Sequence, residues 1–184
     1  TEIGFDDTES LARRIEGWRD GRYACLRTDQ AQDAFERVLP RLLKAFGKSD
    51  DPMRAIARWE AILENATSAI HLFRLLDARP ALLERLVAAL TLAPALSDEL
   101  ARRPEWLDTL VDRGARELPG TADAIAGRIE QCSARPDYEA LLDAIRLVTG
   151  EIRFALGVQM IEGQADPLDV AAALSRTAEA AITL

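Results

Sequence analysis

Histidine is almost missing from this chain: His71 stands alone among 184 residues. Cysteine is nearly as scarce. Cys25 and Cys132 lie far apart with no CxxC spacing, which favours reduced cytoplasmic thiols over a disulfide scaffold. One histidine and two distant cysteines make no zinc ligand set either. The 10 glycines are scattered, forming neither GxGxxG nor the phosphate-cradling GxxxxGKS/T, and no GxSxG elbow occurs. Long apolar runs are lacking too. The longest candidate, around Leu86 to Leu96, is broken by Thr91 and Pro94, short of the roughly 18 residues that cross a bilayer. No charged start followed by an apolar stretch reads as a signal peptide. Basic charge is in deficit, with 23 Lys+Arg against 31 Asp+Glu and a net charge of −8. That balance argues against nucleic acid or anionic lipid as a partner.

What is present reads as a soluble globular chain, 48% hydrophobic and 29% charged. Its length allows one moderate domain or a pair of small ones. The apolar period is helical throughout, with no convincing alternating strand. Between Thr28 and Phe46, Ala31, Ala34, Phe35, Val38, Leu39, Leu42, Leu43 and Phe46 fall on one stripe. Pro40 lacks an N–H and crowds the Glu36 carbonyl, so a kink or two short helices are expected there. Asp51-Pro52 is a start signal, an aspartate cap followed by proline at the first helical position, and Asp166-Pro167 repeats it. A further helix is expected from about Thr67. Asp137 is expected to cap the longest helix, running toward Gly163 over roughly 39 Å at about 1.5 Å per residue.

The most recognisable pattern is a repeat. Leu76-Asp77-Ala78-Arg79-Pro80 through Val87 is echoed by Leu100-Ala101-Arg102-Arg103-Pro104 through Val111. Each copy ends one helix before a proline and starts another with leucines on one face. The expected fold is therefore all-α, a multi-helix bundle of antiparallel helical hairpins with no β-sheet. Gly114, Pro119 and Gly120 place the best internal boundary at Arg113 to Thr121. This gives an N-terminal region over 1–113, with 1–27 as a linker-like lead-in, and a C-terminal long-helix region over 121–184. Both chain ends fall in mid-pattern, as expected of a segment from a longer protein.

Candidates for chemistry are few. His71 has no local carboxylate, cysteine or hydroxyl partner and reads as a packing or surface residue. Asp6-Asp7 and Asp50-Asp51 would bind Mg²⁺ only if other carboxylates converged on them. Both pairs precede helices, so capping is the preferred reading. Arg13-Arg14, Arg102-Arg103 and Arg153 could grip a phosphate or a carboxylate, but single arginines on a solvated face are ordinary. Trp59 and Trp106 sit in apolar stripes as core residues. Trp18, between Gly17 and Gly21, is open to two readings: an inter-domain anchor or simple local packing.

Four stretches, in order, resemble the glutamine synthetase adenylyltransferase family, the bifunctional adenylyl-transferring and adenylyl-removing enzymes of bacterial nitrogen control. The first is Gly4-Phe5 with Ile15-Glu16-Gly17-Trp18-Arg19-Asp20-Gly21-Arg22-Tyr23-Ala24-Cys25-Leu26-Arg27. The second is Phe35-Glu36-Arg37-Val38-Leu39-Pro40-Arg41-Leu42-Leu43 with Asp51-Pro52 and Trp59. The third runs from His71-Leu72-Phe73-Arg74 through Pro80 to Arg103-Pro104-Glu105-Trp106-Leu107-Asp108, and the fourth from Glu151-Ile152-Arg153-Phe154 to Ala180-Ala181-Ile182. His71, and the lack of a proline between Asn65 and Ile70, depart from the family pattern and mark a divergent member.

The resemblance implies an enzyme with two nucleotidyltransferase domains and helical regions around each. One half would attach AMP from ATP to a tyrosine of glutamine synthetase, and the other would remove it by phosphorolysis. Control would come through glutamine and the PII protein. Each catalytic core of the family carries a glycine-serine turn followed by an Asp-x-Asp pair that holds Mg²⁺. No such pattern occurs in this sequence. No catalytic, cofactor-binding or metal-binding residue is therefore assigned; ATP and Mg²⁺ belong to the parent enzyme. The implied role is a non-catalytic, cytoplasmic segment that positions an adjoining nucleotidyltransferase domain and relays regulation. The alternatives are a self-contained helical interaction module and a bundle with a small-molecule pocket.

Overall fold

A computed structural model describes residues 4–110, 117–133 and 137–184. These form two compact units, Thr1–Leu107 and Asp108–Leu184. The first half of the expected boundary, 113–116, lies outside the described residues, as does Val111 of the second repeat copy. Among the described residues the fold is all-α, with no strand.

The first unit contains α1 (Thr8–Arg19), α2 (Asp29–Phe46), α3 (Pro52–Asn65), α4 (Ile70–Ala78), α5 (Pro80–Leu92) and α6 (Pro94–Arg102). Short 3₁₀ helices occupy Ala24–Leu26 and Pro104–Leu110. Asp7 and Asp51 accept the N–H groups of Ser10 and Arg54 at 2.9 and 3.0 Å, so the capping reading of both acidic pairs holds. Each bond satisfies one of the donors that a helix start leaves unpaired. The predicted stripe of α2 is buried throughout, from Ala31 to Phe46. It lies against α4 and α5, while α3 packs on α5 and α6, so several partners are not neighbours in sequence.

Two local expectations change, and a third is narrowed. Residues 29–46 form one helix with Pro40 inside it, so of the two outcomes expected there the pair of short helices falls. Proline costs such a helix about 3 kcal/mol, but Val38, Leu39, Leu42 and Leu43 on either side are all buried. At about 1.5–3 kcal/mol for each large side chain, their burial exceeds the local penalty. The helix expected from about Thr67 starts at Ile70, because Ala66 is extended and no side chain caps the turn at Ala69. The second repeat copy continues as a 3₁₀ helix, whereas the first opens an α-helix. Trp106 and Leu107 are nonetheless buried, like their counterparts Leu82 and Leu83.

Gly4 shows why its position demands glycine. Its φ is +75°, and a Cβ there would collide with the Gly47 carbonyl at the end of α2.

The second unit holds α7 (Ala122–Cys132), α8 (Tyr138–Ile161) and α9 (Pro167–Thr183), each packed on the other two. Thr121, Asp137 and Asp166 cap the three helices through their side chains. At 24 residues α8 is the longest helix described, about 36 Å at the usual rise. It ends in a Schellman motif. Gln164 N–H donates to Gln159 C=O at 3.0 Å and Gly163 N–H to Met160 C=O at 3.1 Å, with Gly163 at φ +63°.

Among the described residues no single helix is long and apolar enough to cross a membrane. The bent pair of α5 and α6 matches such a span in length and composition, but Leu82, Leu83, Leu86, Leu90 and Leu100 are buried within the first unit.

Candidate functional site

The region that gathers most of the singled-out residues is the junction of α1 with α2 and α3. Trp18, on the last turn of α1, is 1% exposed and meets Phe35 edge-on at 5.8 Å between ring centroids. Phe35 in turn stacks with Trp59 at 6.5 Å and touches Phe73 at 5.2 Å. Four helices thus contribute one ring each to a single aromatic cluster. Edge-on and offset contacts of this kind add about 0.5–1.5 kcal/mol per pair beyond area burial. Trp18 therefore packs locally within its own unit, which resolves the two readings the sequence left open.

Polar groups fasten the rim of this cluster. Trp18 Nε1 donates to Glu60 Oε1 at 3.0 Å, and the Arg14 guanidinium pairs with Glu60 Oε2. Arg19 makes a two-pronged pair with Glu36, at 2.6 and 2.8 Å. That bond holds the Glu36 carboxyl below its usual range and the Arg19 guanidinium above its own. Farther along α2, Arg37 and Arg41 both reach Asp77, the acid of the first repeat copy, at 3.2 and 2.5 Å. Arg41 also donates to the Asp77 carbonyl in the last turn of α4, where cations suit the helix dipole. No local pattern marks Glu60 and Asp77 as anchors. Their partners lie 46 and 36 residues away, and the one local signal was the spacing of Arg37 and Arg41 by one helical turn.

The other candidates are dispersed. His71 is exposed on α4, as a surface residue. Arg103 lies over the Trp106 ring at 5.7 Å and pairs with Glu105 at 3.7 Å, while Arg102 is exposed. Arg153 is exposed on α8. Both cysteines are free thiols, Cys132 exposed and Cys25 buried. The Cys25 thiol donates to the Leu63 carbonyl at 3.4 Å, and burial pushes its pKa up to about 11. A nucleophilic cysteine needs the opposite shift. Trp59 is buried as expected, with its indole N–H lacking a partner among the described residues.

Among the described residues no three His, Cys, Asp or Glu side chains group in a way that could hold a metal ion. The aspartates at helix starts spend their carboxylates on backbone N–H groups. The arrangement serves packing and helix anchoring, and no constellation of nucleophile, base and orienting group is assembled from these residues.

Comparison with known proteins supplies what the geometry does not. The model of the family described as glutamate-ammonia ligase adenylyltransferase matches residues 83–184. The chain is similar to a bifunctional glutamine synthetase adenylyltransferase/adenylyl-removing enzyme of Agrobacterium fabrum, 34% identical over 162 residues. That alignment covers 88% of this chain and 16% of the relative. Proteins of the same description from Mesorhizobium japonicum and Rhizobium meliloti are each 32% identical, over 98% and 97% of this chain and 18% of their own length. The chain thus spans less than a fifth of the relatives it matches. With the family model covering more than half of its residues, the chain belongs to the glutamate-ammonia ligase adenylyltransferase family.

Proposed function

We propose that these helices are a non-catalytic segment of a bifunctional enzyme that attaches AMP from ATP to a tyrosine of glutamine synthetase and removes it again. The carrying observation is a family match over residues 83–184 in a sequence without a glycine-serine turn followed by an Asp-x-Asp pair. Nucleotidyl transfer places developing charge on phosphate, which calls for divalent cations held by carboxylates. The carboxylates here do not fit that task, since Asp7, Asp51, Asp137 and Asp166 cap helices.

The role left to the segment is mechanical. Rings from four helices and the ion pairs at their rim make the first unit a stiff body, and three closely packed helices make the second. Stiff bodies hold an adjoining nucleotidyltransferase domain in place, and a relay between distant sites requires such bodies to have two arrangements. Glutamine synthetase, the PII protein and glutamine would act on the whole enzyme, in the cytoplasm.

The test separates capping from metal binding. In the complete enzyme carrying this segment, Asp51→Asn and Asp137→Asn should leave both activities within about threefold and the Mg²⁺ requirement unchanged. Losing even an outer-shell partner of a catalytic metal costs about 10–100-fold. A loss of that size with a shifted Mg²⁺ requirement would place these carboxylates in a catalytic centre and overturn the proposal.

A further inference from the structure

We propose that the cleft between the outer face of α1, the turn after it and α3 binds a dianionic phosphate group, free or as a monoester. The cleft measures about 410 Å³. That lies within the range of small-molecule sites. Three arginines face it, Arg13 and Arg14 from α1 and Arg22 from the turn, against one carboxylate, Glu60. The lining therefore carries two surplus positive charges on a chain whose net charge is −8. Arg14 and Glu60 already neutralise one another. The surplus rests on Arg13 and Arg22, and neither pairs with a carboxylate among the described residues. Arg22 is held over the Tyr23 ring at 5.7 Å, which orients its guanidinium before any ligand arrives.

The remaining lining suits an anion as well. Ser10 lines the cleft, and a serine hydroxyl can donate to an anion. Tyr23 also lines the cleft, and burial, reinforced by the carboxylates of Glu60 and Glu64, raises its pKa and keeps the phenol protonated. Gly17 also lines the cleft, and a Cβ placed there would meet nothing within 4 Å. Ser10, Arg13 or Arg14, and Gly17 recur at helical spacing, so one face of α1 presents hydroxyl, guanidinium and open space in sequence. Forked guanidinium donors match phosphate oxygens bidentately. Charge decides between anions: a phosphate monoester carries about −1.5 to −2 at neutral pH, close to the surplus in the cleft. A single carboxylate would leave half of it unbalanced.

The site is independent of adenylyl transfer, and so is its test. The 184-residue chain is titrated calorimetrically with inorganic phosphate, then with glycerol 3-phosphate, at constant ionic strength, with succinate as the dicarboxylate control. Saturable phosphate binding is expected, with succinate weaker. Arg13→Gln and Arg22→Gln should each weaken binding roughly tenfold or more, as befits loss of a charge-assisted bond. Gly17→Glu, whose Cβ would meet nothing within 4 Å, should abolish it, and Arg37→Gln on α2 should leave it unchanged. Tighter binding of glycerol 3-phosphate identifies the source as an ester; equal or weaker binding identifies free phosphate. Circular dichroism and melting of each variant establish that it folds, and exposed Arg13 decides the matter if Arg22→Gln does not. Absence of saturation, succinate binding as tight as phosphate, or undiminished binding in Arg13→Gln and Gly17→Glu would overturn the site.

Discussion

The two units bury their apolar surface in different ways. In the first, Trp18, Phe35, Phe46, Trp59 and Phe73 are nearly inaccessible, and arginine–carboxylate pairs tie helices together at the rim. In the second, the core cluster is Ile125, Ile129, Ala144, Val148, Ile152, Leu156, Val170, Ala173 and Ala180, and Phe154 of α8 is fully buried as well. Arg128 pairs there with Glu151 at 2.8 Å, and Arg176 donates to the carbonyls of Pro119 and Gly120. Rings from α1, α2, α3 and α4 meet in one cluster in the first unit. Alanines at 144, 173 and 180 are buried among α7, α8 and α9, which pack on one another. A core filled by rings is sensitive to lost volume, and one lined by small residues to added volume.

The largest effect is expected where a ring is removed. Trp59→Ala in the first unit should cost about 3–5 kcal/mol in urea unfolding, since a fully buried ring leaves a cavity that the helices cannot close. Thiol reactivity should separate the units next. At pH 8, Cys132 reacts promptly with a disulfide reagent, whereas Cys25 reacts roughly a hundredfold more slowly, because a pKa of about 11 leaves little thiolate. Two thiols reacting at one rate would show that the first unit is not closed around Cys25.

Enlargement tests the second unit. Ala173, fully buried on α9, should not accept leucine: Ala173→Leu is expected to cost about 1–3 kcal/mol through overpacking. The smallest effect concerns pH. Glu36 is held below the usual carboxylate range, so its contribution is complete above the ordinary glutamate pKa and is lost as pH falls through the lowered value. Because the Arg19–Glu36 pair is well exposed, acidification from pH 6 should remove under about 1 kcal/mol, and Arg19→Gln should remove that slope.

How much of this was legible depended on range. Asp51-Pro52, Asp137 and Asp166-Pro167 announced helix starts because a cap acts within three residues of itself. The stripe of α2 was readable because burial imposes a helical period on sequence. Pro40 left two outcomes open, a kink or a break, because its local penalty is visible and the compensating contacts with α4 and α5 are not. Pro104 misled: the same motif that opens α5 leads into a 3₁₀ helix, and the residues alone do not distinguish the two. Trp18 could not be placed until Glu60, 42 residues away, was brought to its indole nitrogen. The arginine-lined cleft was out of reach for the same reason, since Arg13 and Arg22 gain meaning only beside Tyr23 and Glu60.

One measurement bears most directly on the segment's proposed role. The purified chain and a complete enzyme containing it are each incubated with labelled ATP, Mg²⁺ and glutamine synthetase, and the AMP joined to glutamine synthetase is counted. The complete enzyme should transfer AMP and the chain alone none, with the chain shown to be folded by its helical circular dichroism. Transfer by the chain alone would mean that these helices hold a catalytic centre after all, and the non-catalytic reading would fall.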